Sequence, residues 1–339
     1  MEAAASQQSH LRAAPEATMK AISHERYGSS DAVALREVAI PVLEDHQLLI
    51  RVHASSVNPA EWYRVQGPFF ARWDSGLRAP KNPSIGADLA GRVEAVGKDV
   101  TEFQPGDEVF GTSGGSWAEY TAAREPRLVR KPANVSFEEA AAVPVAGLTA
   151  LQAVRDHARI QPGQKLLING GSGGVGSFAV QLAKVFGADV TAICSGRNVE
   201  LVDSLGADRV CDYTREDFTR RGERFDVMLD VAGSRSLREL RRVLTPHATV
   251  VVVGAPMSAK GLGPLKHIIG TRLAAIGRGQ TVQNFLAKIE KEDLAFMSEL
   301  LVTGKIRSVI DRRFELSEAP EALSYLGTTH ARGKVVITM

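Results

Sequence analysis

The segment that most constrains the fold is a short glycine-rich turn that fits the pattern GxGxxG. The run 165–169 (KLLIN), with three apolar residues at its centre, precedes it and predicts a buried strand, and residues 175–186 follow with apolar positions at helical spacing. A strand, a glycine turn and a helix in this order are typical of the start of a dinucleotide-binding βαβ unit. The turn consists of Gly171, Ser172, Gly173, Gly174, Val175 and Gly176.

The spacing of the glycines predicts what each of them contributes. We expect Gly171 to allow the tight turn, Gly173 to let backbone N–H groups approach a pyrophosphate, and Gly176 to let the helix pack closely on the strand. The N-terminus of the helix adds the positive end of its dipole to an anion site. A glycine-rich turn that binds nothing is the alternative, and the flanking strand and helix make it the weaker interpretation.

The end of the next strand, residues 189–194, indicates which dinucleotide binds. NAD-binding proteins place an Asp or Glu ~20 residues after the glycines, where it holds the ribose 2′-hydroxyl. Here Ser195 and Arg197 follow the strand and no acid does. A serine donor and a guanidinium suit a 2′-phosphate, and Tyr213, at the end of the following strand, can add a phenolic donor. We therefore expect NADPH, with a solvated surface residue as the alternative for Arg197.

The pattern of apolar segments and turn residues changes near residue 146. Residues 20–145 hold short alternating segments separated by Gly and Pro, which predicts a β-rich, barrel-like unit. From 146 to about 260 strands alternate with helices, which predicts a parallel sheet. The runs 308–314 and 333–338 are again typical of strands, and we expect them to return to the first unit. The predicted fold class is α/β, with a Rossmann doubly wound parallel sheet inserted in the β-rich domain.

This organisation predicts three regions. Residues 1–18 form a disordered tail, 146–294 the Rossmann NADPH-binding domain, and 19–145 together with 295–339 the substrate domain. The tail lacks the apolar core of a secretory signal. A length of 339 residues agrees with about two domains.

Charge and cysteine content exclude several classes of protein. The chain has 41 basic and 39 acidic residues, and a net charge of +2 argues against a nucleic-acid partner. No run approaches the ~20 apolar residues of a membrane span. Its two cysteines, Cys194 and Cys211, are too few for a disulfide framework and indicate a reducing compartment, so we expect a cytoplasmic location.

Several further motifs, in a fixed order, carry a family resemblance. They are Ser56-Val57-Asn58-Pro59, the GADLAG run 86–91, the GDEVF run 106–110, the VPVAGLTA run 143–150, the glycine turn and the GKVV run 333–336. With them the chain resembles the zinc-independent quinone oxidoreductase-like branch of the medium-chain dehydrogenase/reductase superfamily, over nearly all of residues 20–339. The resemblance implies a GroES-like, partly open barrel as the substrate domain, and a homodimer.

The resemblance also allows a prediction of whether the chain binds zinc. The positions that bind the catalytic metal in the zinc-containing branch would match Asn58, Ala87, Asp88 and Val145. Catalytic zinc needs three protein ligands from Cys, His or carboxylates, and only Asp88 among these residues could serve. The structural zinc lobe needs four clustered cysteines, and residues 1–193 contain none. We therefore expect no metal.

The activity that the resemblance implies is hydride transfer from NADPH to a conjugated acceptor. An α,β-unsaturated carbonyl compound and a quinone are both open, because each develops negative charge on an oxygen that must be stabilised. Tyr63 matches a tyrosine of the branch and would donate a proton or hydrogen bond. Asn58 would hydrogen-bond near the nicotinamide or the substrate. A packing role is the alternative for Tyr63.

Further cofactor contacts are implied on the nicotinamide side. Thr149 matches a position that contacts it, although its hydroxyl could instead bond its own helix backbone. The backbone of Val253, Gly254 and Ala255, at the carboxyl end of a strand, would hold the carboxamide, and a strand-ending glycine is the alternative. A different class of function also remains open: an NADPH-binding protein with a structural or regulatory role and little catalysis.

Overall fold

The structure is a computed structural model that describes residues 17–67, 72, 76–233, 235–253, 279–328 and 331–339. Residues 1–16 of the predicted tail and the predicted cofactor residues Gly254 and Ala255 lie outside the described residues. Every helix in the described ranges falls short of the length and apolarity that crossing a membrane requires.

Strands dominate both ends of the chain and alternate with helices in its middle. They are β1 (Thr18–His24), β2 (Val33–Ala39), β3 (Gln47–Val57), β4 (Asp88–Val96), β5 (Glu108–Thr112), β6 (Tyr120–Arg124), β7 (Leu128–Arg130), β8 (Lys165–Asn169), β9 (Asp189–Cys194), β10 (Arg209–Asp212), β11 (Phe225–Asp230), β12 (Leu244–Val252), β13 (Thr281–Asn284), β14 (Ile310–Glu315) and β15 (Lys334–Thr338). The bounds of β8 and β9 agree with the sequence prediction.

The helices of the described ranges lie between the middle strands and also on either side of them. They are α1 (Pro59–Gln66), α2 (Phe137–Ala141), α3 (Pro144–Gln152), α4 (Gly174–Val185), α5 (Val199–Ser204), α6 (Leu237–Leu240), α7 (Lys291–Val302) and α8 (Ala319–Thr328). A single π-helical turn, Ala153–His157, extends α3. A 3-10 turn follows α6, and β12 begins at Leu244.

The middle strands form a six-stranded parallel sheet in the order β10-β9-β8-β11-β12-β13. This is the strand order of the Rossmann fold, and ligands bind beyond the carboxyl ends of its strands where that order reverses. The reversal lies at β8, and the glycine turn follows β8 directly. Alternate residues of β8 pack on opposite faces, Leu166 and Ile168 in one apolar core and Leu167 in another. Both faces are therefore covered, as a doubly wound sheet requires.

The outer strands form a seven-stranded sheet, ordered β14-β15-β3-β4-β5-β7, with β6 paired to β3. Its pairs are antiparallel except β14 with β15. Val335 of β15 lies opposite Val57 of β3, so the C-terminal segment completes the first sheet, as the sequence predicts. The fold is thus α/β, a Rossmann sheet combined with a GroES-like unit.

Both predicted domain limits fall inside helices of this fold. The limit at 145/146 lies inside α3, and the limit at 294/295 lies inside α7. A sequence pattern locates a change of character but does not reveal which side a continuous helix joins. The division into domains therefore stays a prediction.

The two sheets are tied together beside the glycine turn. The backbone N–H of Gly333, just before β15, donates to the carbonyl of Ser172 at 2.8 Å, and Gly333 forms an isolated parallel bridge with Gly173. The start of β15 is therefore joined to the predicted cofactor turn.

Candidate functional site

The glycine turn has the conformation that a close backbone approach requires. The left-handed residue is Gly170, with φ of +97°, one position before the predicted Gly171. Gly171 instead packs against β9, where an added Cβ would lie 2.9 Å from the Ala192 side chain. A Cβ on Gly176 would collide with the Gly170 carbonyl, so this glycine lets α4 approach the strand as expected.

The space in front of the turn fits a phosphate group. A Cβ added to Gly173 would meet nothing closer than the Gly170 carbonyl oxygen at 3.8 Å, so this position borders open space. Gly173 precedes α4, and Gly174, Val175 and Gly176 form its first turn, whose N–H groups have no partner within the helix. Helix N–H groups and the helix dipole favour an anion here. The turn therefore fits a dinucleotide pyrophosphate.

Side chains at the end of β9 join the turn through a buried amide. The Asn198 Nδ2 donates to the Ser172 hydroxyl at 2.9 Å and to the Ser195 hydroxyl at 3.2 Å. Asn198 is 2% exposed, whereas both serines are partly exposed and Arg197 is exposed. The structure thus brings the hydroxyls of Ser172 and Ser195 to one place, and the exposed Arg197 follows Ser195 by two residues.

A carboxylate also reaches this place from the neighbouring strand β10. Asp212 lies so close to Gly196 that an added Cβ there would lie 2.5 Å from the carboxylate. Hydrogen bonds from the Thr214 hydroxyl and backbone hold the pKa of Asp212 below its usual value, so the group is ionised. Tyr213, which follows it, is 47% exposed and donates its backbone N–H to the Cys194 carbonyl at 3.1 Å. An ionised carboxylate therefore lies beside the end of β9, and Thr214 supplies hydrogen bonds to it.

A second group of polar residues is buried where the two sheets meet, and Asp88 is its centre. Asp88 is fully buried and accepts from the Ser56 hydroxyl, from the Asn58 Nδ2 at 2.9 Å and from the backbone N–H of Val145 at 2.8 Å. Asn58 precedes α1 and Val145 lies in the first turn of α3. One carboxylate therefore fixes the starts of the two helices that carry Tyr63 and Thr149.

The counter-charge of Asp88 is a buried lysine. Lys334 is 3% exposed, and its ammonium lies 3.4 Å from the Asp88 Oδ2 and also donates to the Asn58 Oδ1. Its side chain passes the cofactor turn, because a Cβ added to Gly174 would lie 3.1 Å from the Lys334 Cδ. Both ends of the Asn58 amide are thus engaged within this cluster, and its direct contact with a substrate or nicotinamide stays a prediction.

Glu61, in the first turn of α1, is the other buried carboxyl of this cluster. Its carboxylate accepts from the Asn58 backbone N–H at 2.8 Å. Burial, with repulsion from Asp88 as the next cause, raises the pKa of Glu61 to about 7. The cluster therefore changes its charge close to neutral pH.

Three residues predicted to contact the substrate or the nicotinamide occupy defined positions. Tyr63 is half-buried on α1, and burial raises the pKa of its phenol, which keeps the phenol protonated near neutral pH. The Thr149 hydroxyl donates to the Val145 carbonyl at 2.6 Å, the helix bond that was the alternative to a cofactor contact. Its oxygen keeps lone pairs for a second partner. Val253 follows β12 and donates its N–H to the Asp230 carbonyl at 3.0 Å.

Comparison with known proteins places this arrangement in a family. The Alcohol dehydrogenase GroES-like domain family matches residues 44–133, and the Zinc-binding dehydrogenase family matches residues 205–337. The chain is 34% identical over 338 residues to the chloroplastic quinone-oxidoreductase QR1 of Triphysaria versicolor, covering 94% of this chain and 98% of that protein. The chain belongs to the quinone oxidoreductase-like branch of the medium-chain dehydrogenase/reductase superfamily.

Two further members of the branch are similar over most of their length. The chloroplastic NADPH-dependent alkenal/one oxidoreductase of Arabidopsis thaliana is 34% identical over 334 residues, covering 94% of this chain and 79% of that protein. The solved structure of the quinone oxidoreductase from Coxiella burnetii superposes with a TM-score of 0.83 at 31% identity, covering 95% of this chain and 100% of that one.

The positions that match zinc ligands elsewhere in the superfamily come together in this member. Asn58, Asp88 and Val145 are joined by hydrogen bonds on the Asp88 carboxylate. In the part of the chain that the structure describes, no three residues among His, Cys, Asp and Glu are grouped as metal ligands. The two thiols, Cys194 and Cys211, are buried and unpaired, and burial raises their pKa values to about 11 and about 12.

Besides Asp212, sequence reasoning missed three residues of the two clusters. Lys334 stands in the Gly333-Lys334 motif, which supported the resemblance but received no role. Glu61 follows Asn58 at the N3 spacing of a capping residue, a signal for its contact with the Asn58 backbone but not for its burial. Asn198 follows Arg197 directly, and only the fold shows that its amide reaches the glycine turn.

Proposed function

We propose that this protein is an NADPH-dependent reductase of conjugated acceptors, either α,β-unsaturated carbonyl compounds or quinones. The observation that carries the proposal is the glycine turn, which borders open space at the start of α4 and is hydrogen-bonded to the acid-free end of β9. The names of two relatives support the acceptor class, since one is a quinone oxidoreductase and the other an NADPH-dependent alkenal/one oxidoreductase.

The chain divides the binding of NADPH between two groups of residues. The first turn of α4, from Gly174 to Gly176, would hold the pyrophosphate through its N–H groups. Ser172, Ser195 and Arg197 would hold the 2′-phosphate, with Tyr213 at its edge. Thr149 and the backbone at Val253 would lie on the nicotinamide side.

When bound, NADPH supplies a hydride to the acceptor. The residues of the chain then have to stabilise the oxygen on which negative charge develops. Tyr63 suits this role because its half-buried phenol stays protonated and can donate a hydrogen bond or a proton. Asp88 and Lys334 keep the α1 segment that carries Tyr63 in place.

We further propose that the reaction proceeds without zinc. Of the four positions that match zinc ligands, only Asp88 has a ligating side chain, and its carboxylate already accepts from Ser56, Asn58, Val145 and Lys334. A cation at this position would have to displace the Lys334 ammonium. Treatment of the purified enzyme with a zinc chelator should therefore leave its turnover unchanged.

The activity is tested by following NADPH absorbance with 1,4-naphthoquinone and with but-3-en-2-one as acceptors. Turnover with one or both supports the proposal, and the ratio of the two kcat/KM values decides between quinone and enone. Tight NADPH binding without turnover across a panel of such acceptors would contradict a catalytic function and favour a regulatory one.

The NADPH assignment makes a separate prediction. Replacing Arg197 by Ala should weaken NADPH binding about 10- to 50-fold, the cost of one charge-assisted contact with a phosphate. NADH binding should change less than about twofold, because NADH lacks that phosphate. Binding is measured by the fluorescence of the reduced nicotinamide.

A matched control for Arg197 is Arg215→Ala. Arg215 is also exposed and lies 3.5 Å from the Asp212 carboxylate, so its removal changes the net charge of this region equally. It should leave the preference for NADPH intact. Equal losses of NADPH and NADH affinity in Arg197→Ala would contradict a 2′-phosphate contact.

Two broader properties also stand as proposals. We propose a homodimer on the family resemblance, which sedimentation of the full chain tests directly. We propose a cytoplasmic location from the low cysteine content, although the two plant relatives carry the word chloroplastic in their names. Imaging of the full chain in its own cells tests that location.

A further inference from the structure

The side chain of Asn198 has unusual hydrogen-bond partners. It occupies the N-cap position of α5, where an asparagine side chain commonly accepts from the helix backbone. Here the side chain makes no such capping bond. Its Nδ2 instead donates to the hydroxyls of Ser172 and Ser195, which lie 26 and 3 residues away.

The orientation of this amide follows from its surroundings. The Asn198 Oδ1 is buried and accepts no hydrogen bond from the described residues. If the amide were flipped, its oxygen would face the two serines. The two N–H donors of Nδ2 would then occupy the present position of Oδ1, which has no hydrogen-bond partner among the described residues. Leaving two buried donors unpaired costs more than leaving one acceptor unpaired, so the amide donates to the serines.

This orientation determines how the two serines can act. A hydroxyl has one proton, and a hydroxyl whose oxygen accepts from Asn198 keeps that proton for another acceptor. Ser172 belongs to the glycine turn and Ser195 to the end of β9, and both are partly exposed while Asn198 is buried beneath them. Two hydroxyl protons are thus available between the glycine turn and the end of β9.

We propose that Asn198 is a specificity-determining residue, which sets both serines as donors toward the 2′-phosphate of the cofactor. The inference rests on the proposed function, because it assumes that NADPH binds at this turn. The inference goes beyond that function by assigning the preference for NADPH to a buried residue that does not itself touch the phosphate.

The decisive variant is Asn198→Asp. A carboxylate has nearly the same shape as the amide but only accepts hydrogen bonds, so it draws both serine protons away from the phosphate and adds a negative charge beside it. We expect the Kd of NADPH to rise about 30-fold and that of NADH to change less than about threefold. Asp is also a favourable N-cap residue, so α5 should persist.

Two measurements separate this role from simple loss of structure. The first is the binding of adenosine 2′,5′-bisphosphate and of AMP, probes that differ only in the 2′-phosphate and require no turnover. The second uses Asn134→Asp, which adds the same charge at an exposed asparagine bonded to the Val302 carbonyl. This control should bind both probes as the wild type does.

The outcomes are distinguishable. Selective loss of the 2′-phosphate probe in Asn198→Asp supports the inference, and Asn198→Ala should show the same selectivity at smaller size if the Asp variant fails to fold. Equal loss of both probes would show that Asn198 only holds the loop together, which overturns the inference and leaves NADPH binding by the wild type intact. A wild type that binds both probes equally would overturn the cofactor assignment itself.

Discussion

Replacing Asp88 by Asn is expected to lower the free energy of unfolding by about 3–5 kcal/mol. The carboxylate is fully buried and is the counter-charge of Lys334, which is 3% exposed. Asparagine fits the same space but carries no charge, so the ammonium would lose the carboxylate that lies 3.4 Å away. Its new NH2 group would also face the Val145 N–H, another donor. Urea unfolding of the purified variants measures the change.

Two further variants make this expectation specific to the charge pair. The double variant Asp88→Asn with Lys334→Met removes both charges and should recover most of the lost stability, since a buried pair replaced as a unit is often neutral. Asp45→Asn removes one partner of the exposed pair Asp45–Lys98 and should cost less than about 1 kcal/mol. A loss in Asp88→Asn no larger than in Asp45→Asn would show that water reaches the pair and that it does not hold α1 and α3.

Local patterns explain why much of the fold follows from the sequence. The run 165–169 has an apolar centre and is followed by a glycine turn, so the strand before the turn and the helix after it can be predicted from the local pattern alone. The local pattern does not predict where β12 begins. Pro246 and His247 interrupt the apolar pattern, so periodicity alone would start the strand at Thr249, although Leu244 already pairs with Phe225 of β11.

The candidate site likewise has one part that the sequence predicts and one part that it does not. The glycine turn is contiguous, and its phosphate-binding geometry depends on its own residues. The contact between Asp88 and Lys334 joins positions 246 residues apart, and it depends on the register that places β15 and β4 on opposite sides of β3. No local pattern carries that register, so the sequence matches Asp88 to a zinc-ligand position but does not identify Lys334 as its partner. The carboxylate of Asp212 beside Gly196 is likewise a product of strand order.

Glu61 should make the stability of this protein fall as the pH rises toward neutral. Its usual pKa is 4.5, and burial with repulsion from Asp88 raises it to about 7 in the folded chain. Below about pH 4.5 the carboxyl is protonated in both states and contributes no difference. Between the two pKa values the folded chain keeps a proton that the unfolded chain has lost, so stability declines through this window. Above it the loss is complete and amounts to roughly 3 kcal/mol.

The variant Glu61→Gln isolates this contribution. Glutamine is neutral at every pH, and its Oε1 can still accept from the Asn58 N–H, a bond of 2.8 Å in the wild type. Relative to the wild type, the variant should gain roughly 3 kcal/mol between pH 4.5 and pH 8 in urea unfolding. Glu290→Gln, at an exposed carboxyl, should show no such gain. A flat difference for Glu61→Gln would mean that the folded chain does not hold the Glu61 proton, and thus that the cluster around Asp88 already carries both negative charges at pH 5.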